Sequence, residues 1–192
     1  MFMALGLIII LLAIFVLLVV IVVGWYIGVY NAFIALKADI PKALGNIDVL
    51  LKQRSDELPK LVASVKGYMK HEKGTLEELT KARTAWMKAG SLAEKAKASD
   101  RISGALKTIF AVAENYPKLE ASANFQQLQG RISGLENEIA DRREFYNDSV
   151  TTYNVRIRQF PANIVARNMG LTESFELFKA TESEREDVKI EF

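Results

Sequence analysis

Thirty-five consecutive residues, Phe2 to Leu36, contain no Asp, Glu, Lys or Arg, and the first charged side chain is Lys37. A hydrocarbon layer of about 30 Å is crossed by roughly 20 apolar residues in helical form, so the run exceeds that requirement. Met3 to Val23 is almost wholly Leu, Ile, Val and Phe. Trp25, Tyr26 and Tyr30 then occur together, as amphipathic rings do at headgroup level. The expected hydrocarbon portion is therefore about Met3 to Val23, with the helix continuing through the interface toward Leu36. The run has no basic n-region and no small-x-small cleavage site. Its apolar core is longer than the roughly 7–15 residues of a signal-peptide h-region, so a retained anchor is expected. No later stretch is long and apolar enough to cross again, which makes the expected topology single-pass. Lys37, Lys42, Lys52 and Arg54 follow the span and nothing basic precedes it. The positive-inside bias then puts a short N-terminus outside and the remainder in the cytoplasm. Gly24, Gly28 and Ala32 form a small-residue face, read either as a site of close helix approach or as glycines merely tolerated in a membrane helix.

Composition narrows the chemistry. The chain has 192 residues, a formal net charge of +2, no cysteine and one histidine, His71. A near-neutral charge gives no electrostatic footprint for nucleic acid. Disulfide and thiol chemistry are excluded, and a His/Cys zinc site cannot be built from one chain. Glycine-rich phosphate loops and the G-x-S-x-G elbow are missing. No cofactor, metal site, small-molecule substrate or catalytic residue is expected.

Beyond the anchor the pattern is helical. Apolar residues fall at Ile40, Leu44, Ile47, Leu51, Leu58, Leu61, Val65, Met69, Leu76, Leu79 and Trp86, in steps of three and four. Pro59 predicts a kink. Thr75 and Glu78 fit a capping box, yet the apolar phase runs past Gly74 unbroken, and continuity is the preferred reading. Gly90-Ser91 and the weakly apolar residues beyond predict a connection. A second seam is Ile102, Leu106, Ile109, Ala113 and Tyr116, closed by Pro117. After a turn with Ser122 or Asn124 as cap, a third runs from Phe125 to Phe160 and stops at Pro161. The expected fold is all-α: an N-terminal single transmembrane helix followed by an elongated antiparallel bundle of three or four long helices. Its expected divisions are anchor 1–36, bundle 37–161 and tail 162–192.

Arg54, Glu72, Arg83 and Arg142 stand where the three-four count calls for apolar side chains. Two readings are open. Long side chains at the edge of a stripe can reach water. Alternatively, the arginines form a buried network with Glu72, Glu114 or Glu136, which would fix register rather than add stability. Tyr146-Asn147 and Tyr153-Asn154 are seven residues apart and share a helix face, either as core rings or as a polar ladder at a subunit contact. In the tail, Val188, Ile190 and Phe192 alternate with charged residues, a strand-like period. The tail is read as disordered or as docking on its own bundle or a neighbouring subunit.

Asn46–Val62, His71-Glu72, Ala82-Arg83, Glu114–Gln129, Glu136–Asn154 and Phe160–Ala166 resemble the LemA family at matching spacing along the chain. The resemblance implies an N-terminal membrane helix with a short external end and a bundle of long helices. It implies no reaction, and through a relative involved in magnetosome membranes it points to membrane organisation. The expected function is a self-associating membrane-anchored scaffold that organises or shapes the bilayer, with lipid and further copies of the chain as partners. The alternative is a monovalent membrane-tethered adaptor for another protein, such as a protease or signalling partner.

Overall fold

The protein is all-α in the computed structural model, which describes residues 2–178; no strand occurs among them. The helices are α1 (Phe2–Val65), α2 (Lys73–Lys88), α3 (Leu92–Ala113), α4 (Pro117–Glu120), α5 (Ala123–Arg156) and α6 (Ala162–Asn168), followed by an irregular segment at 171–178. The proposed tail contacts at Val188, Ile190 and Phe192 lie outside the described residues.

Contacts divide the chain into two units that cut across the linear order. One joins residues up to Lys42 to Asp148–Glu176; the other joins Ala43–Asn147 to Leu177 and Phe178. In the second unit Leu58, Leu61, Val65, Leu79, Ile102, Leu106, Ile109, Phe125 and Ile132 form the core. Phe110 and Phe125 meet edge to face at 6.4 Å. Each large aliphatic side chain buried there contributes about 1.5–3 kcal/mol relative to leaving it in water. Glu57 pairs with Arg131 and Arg54 with Glu136, so α1 and α5 run antiparallel in this unit.

The apolar phase past Gly74 does not mean one helix. α1 ends at Val65, turns occupy the residues before Lys73, and α2 starts there with Glu72 at its N-cap. Val65, Met69 and Leu76 are buried on both sides of the break because the turn returns the chain to the same core. The Thr75–Glu78 box is not used: Thr75 lies inside the first turn of α2, its N–H bonded to the Glu72 carbonyl. The box forms instead at α3. Ser91 Oγ accepts from Glu94 N–H, and the Glu94 carboxylate accepts from the N–H groups of Gly90 and Ser91. Those donors, Gly90 first, hold Glu94 below the usual carboxylate range. Residues expected to form a connection after Ser91 are therefore the first turns of α3, with Ala96, Ala98 and Ser99 buried.

α1 continues through Pro59 without interruption. Proline has no N–H to give the Ser55 carbonyl four residues back. Arg83 of α2 donates from Nε to that oxygen at 2.9 Å.

Candidate functional site

The polar cluster begins with three helices that place small residues opposite a long one. On α1 the buried seam steps Ile47, Leu51, Arg54, Leu58, Leu61, Val65. Arg54 therefore points inward as its neighbours do, and it is only 1% exposed. α3 presents Ser99 and Ser103 to it. The guanidinium donates to Ser99 Oγ at 2.7 Å, to Ser103 Oγ at 2.9 Å and to Glu136 of α5 at 2.5 Å. Ser103 Oγ lies 2.7 Å from the other Glu136 oxygen. Burial pushes Arg54 below the usual guanidinium range, and the Glu136 carboxylate beside it opposes that shift. Arg143 adds a second cation, bonded to Asp100 at 2.8 Å and to Ser99 Oγ at 2.6 Å, with its guanidinium over the Phe178 ring at 4.5 Å. Two guanidinium groups thus face two carboxylates through shared serine hydroxyls. Cations removed from water need this kind of pairing and bonding.

The structure brings Arg54 and Glu136 together and leaves the other predicted members elsewhere. Arg142 is exposed and lies 3.9 Å from Glu138. The cation on the seam is its neighbour Arg143, because the alternating steps of α5 run Ile132, Glu136, Ile139, Arg143, Tyr146, Val150, Tyr153, Ile157. A step of three from Ile139 lands on Arg142 and a step of four on Arg143, about 100° of helix apart. Glu114 is exposed. Among the described residues Glu72 pairs with no arginine; it accepts from the Tyr116 hydroxyl at 2.8 Å, and that bond first, then burial, raises Tyr116 above the ordinary phenol range. Arg83 serves the Ser55 carbonyl. The sequence reading missed Ser99, Asp100, Ser103 and Arg143; the Ser91–Glu94 box was the signal that could have put Ser99 and Ser103 on a helix.

The Tyr-Asn pairs divide their work. Tyr146 and Tyr153 are buried, and Tyr153 meets Phe175 edge to face at 5.0 Å. Burial raises Tyr153 above the ordinary phenol range. The asparagines instead grip the segment after Gly170. Asn147 donates to the Phe178 carbonyl at 3.0 Å and accepts from the Phe178 N–H at 2.8 Å; Asn154 makes the same pair of bonds with Phe175, both at 2.9 Å. Each side-chain amide here uses one N–H and its oxygen, pairing with one residue's backbone as a strand would. The rings thus follow the core reading, and the asparagines that the other reading assigned to a subunit contact bond the chain's own residues Phe175 and Phe178.

On α1, Leu5 to Val23 have no protein cover, Trp25 and Tyr30 are partly exposed, and Tyr26 is half-buried. A Cβ at Gly24 or Gly28 would meet nothing within 4 Å, while Ala32 is half-buried. A groove of about 540 Å³ lies between the end of α1 and α2, floored by Val62, Met69 and Leu76 and rimmed by Lys66, Lys70, Lys73 and Lys81. Among the described residues no group of His, Asp or Glu is placed to hold a metal ion. The hydroxyls of Ser99 and Ser103 are bonded to guanidinium groups, Ser103 also to the Glu136 carboxylate, and His71 is exposed in the turn before α2.

A model of the LemA family matches residues 43–192. Protein LemA of Metamycoplasma hominis is 33% identical over 167 residues, covering 85% of this chain and 74% of that protein. Magnetosome protein MamQ 2 of Paramagnetospirillum magneticum is 24% identical over 163 residues, covering 71% and 60% respectively. Magnetosome protein MamQ of Magnetospirillum gryphiswaldense is 23% identical over 167 residues, covering 73% and 61%. The chain thus spans about three fifths of the magnetosome relatives' length. None of these names is that of an enzyme.

Proposed function

Because the chain belongs to the LemA family, we propose that it is a membrane-anchored helical scaffold that associates with further copies of itself and organises or shapes the bilayer. One observation carries this reading. α1 is helical without interruption from Phe2 to Val65, bare of protein cover from Leu5 to Val23 and part of a buried seam from Val29 onward. So much uncovered apolar surface in water marks a lipid-facing segment, and no loop separates it from the folded part. A flexible tether would suit an adaptor; here the bare span and the buried seam belong to one helix. Two of the relatives are named as magnetosome proteins.

The test is the mass of the full-length protein in mild detergent, followed by imaging in lipid vesicles. The scaffold predicts one defined large oligomer and vesicles whose shape changes with protein density. A monomer on undeformed vesicles would refute it and favour the adaptor. A chain ending at Phe178 keeps both asparagine grips and removes only the residues beyond. Loss of the oligomer in that variant would assign self-association to the final residues.

A further inference from the structure

The unit that contains the anchor carries a second apolar surface beside it. Packing against α1 begins at Val29, 8% exposed, and Phe33, 0% exposed, whereas every side chain from Leu7 to Trp25 is open. Arg156, the last residue of α5, holds its guanidinium 6.0 Å from the Phe33 ring centroid. The corner that follows, through Pro161 into α6, buries Ile157, Val165 and Ala166. It turns Phe160 and Ile164 outward, 75% and 51% exposed, with Val155 also open. Val29 lies one turn from Trp25 and next to Tyr30, so the cover on α1 begins within about 6 Å of the aromatic belt along the helix axis.

Charge points the same way. Residues 149–172 contain no Asp or Glu but carry Arg156, Arg158 and Arg167. Arg158 donates to Ser174 Oγ at 2.8 Å and is exposed, as is Arg167. Acidic groups of this unit, Asp39, Asp148, Glu173 and Glu176, all fall outside that stretch. Exposed aromatic and aliphatic side chains flanked by arginine are the make-up of a surface that sits in the headgroup layer and attracts anionic lipid.

We propose that the corner 155–168 is a second membrane contact. Phe160 and Ile164 dip into the interface beside the aromatic belt, and Arg158 and Arg167 take up phosphate groups of anionic lipids. The contact holds the folded unit down on the bilayer at a point apart from the anchor's own crossing. This inference rests on α1 being membrane-inserted, and the experiment separates the two.

The chain has no cysteine, so single nitroxide labels can be placed at Phe160→Cys, Ile164→Cys, Val16→Cys and Met87→Cys in the full-length protein. Each is reconstituted in vesicles of phosphatidylcholine alone or mixed with phosphatidylglycerol. The ratio of oxygen to nickel-chelate collisions reports depth. Val16 should read as hydrocarbon and Met87 as water, with Phe160 and Ile164 between them and deeper when phosphatidylglycerol is present. Arg158→Gln with Arg167→Gln should abolish that added depth at Ile164→Cys. Labels at 160 and 164 as aqueous as Met87, with Val16 in hydrocarbon, would overturn the second contact and leave the corner open to a protein partner. An aqueous Val16 would overturn the anchor itself. Depth at 160 and 164 that ignores both phosphatidylglycerol and the arginine changes would overturn the anionic-lipid half.

Discussion

Replacing Arg83 by leucine should destabilise the protein in a way that depends on a residue 24 positions earlier. The Ser55 carbonyl lost its helix partner to Pro59 and gained Arg83 Nε at 2.9 Å, and Ser55 is buried. Removing the guanidinium leaves a carbonyl of a buried residue without that donor, and Pro59 has no N–H to replace it. A hydrogen bond from a charged donor contributes about 1.5–3 kcal/mol; with Arg83 only half-buried, solvent screening brings the expected loss to about 1–2 kcal/mol. In a chain this long, that lowers Tm by roughly 2–8 °C. Pro59→Ala restores the missing N–H, which bonds Ser55 whether or not Arg83 is present. On its own it should stabilise, though by less than the roughly 3 kcal/mol of a helix-interior proline, because Arg83 already satisfies the freed oxygen. On the Pro59→Ala background Arg83→Leu should cost no more than about 0.5 kcal/mol, giving a coupling near 1 kcal/mol. Thermal unfolding of the four proteins in mild detergent, followed by far-ultraviolet circular dichroism, measures all three quantities. Equal penalties for Arg83→Leu on the two backgrounds would refute the reasoning, and so would a Pro59→Ala protein less stable than the parent.

Arg54→Ala should cost about 3 kcal/mol, the low end for breaking a buried pair because Glu136 remains partly open to water, while Arg54→Met with Glu136→Leu should recover most of it; chemical denaturation of the two proteins decides. Asn154→Asp and Asn147→Asp each keep an acceptor but set a carboxylate against a backbone carbonyl. Hydrogen exchange of the Phe175 and Phe178 amides should therefore quicken, as for the loss of about 1–3 kcal/mol of local protection; unchanged exchange would dismiss the grips. Tyr116 should ionise at higher pH than free tyrosine, and Glu72→Gln should bring it down. A phenol raised on folding contributes stability present below its unfolded pKa and lost as pH climbs through the folded one, so the Glu72 contribution should fade above about pH 10. Ultraviolet difference titration of the parent against Glu72→Gln reads that shift.

The helical architecture was legible because period and length sufficed: a charge-free run that long has few fates, and Leu58, Leu61 and Val65 or Ile102, Leu106 and Ile109 can share a face only on a helix. The break before α2 was not, since a turn that returns to the same core leaves the apolar phase intact. Arg54 was visible as a polar residue on a seam and Glu136 as one of several carboxylates it could pair with, whereas Arg143 was masked by the choice between steps of three and four. Ser99 and Ser103 carry no hydropathy signal and matter because small side chains leave room for a guanidinium. Asn147 and Asn154 are seven residues apart on α5, and their partners are backbone groups of Phe175 and Phe178, which no side-chain pattern records.

The absence of any interruption between the glycine pair and the first buried residues of α1 has a geometric outcome. Gly28 and Val29 are adjacent on a helix that advances about 100° per residue, so the direction in which one anchor meets another fixes the compass bearing of the unit packed on Val29 and Phe33. Inserting a single alanine after Gly28 would swing that bearing by about a quarter turn with hardly any change in length, whereas inserting seven residues would nearly restore it. Copies joined through their glycines would accordingly be dealt around a common axis at one set azimuth, the anchor acting as an indexing shaft.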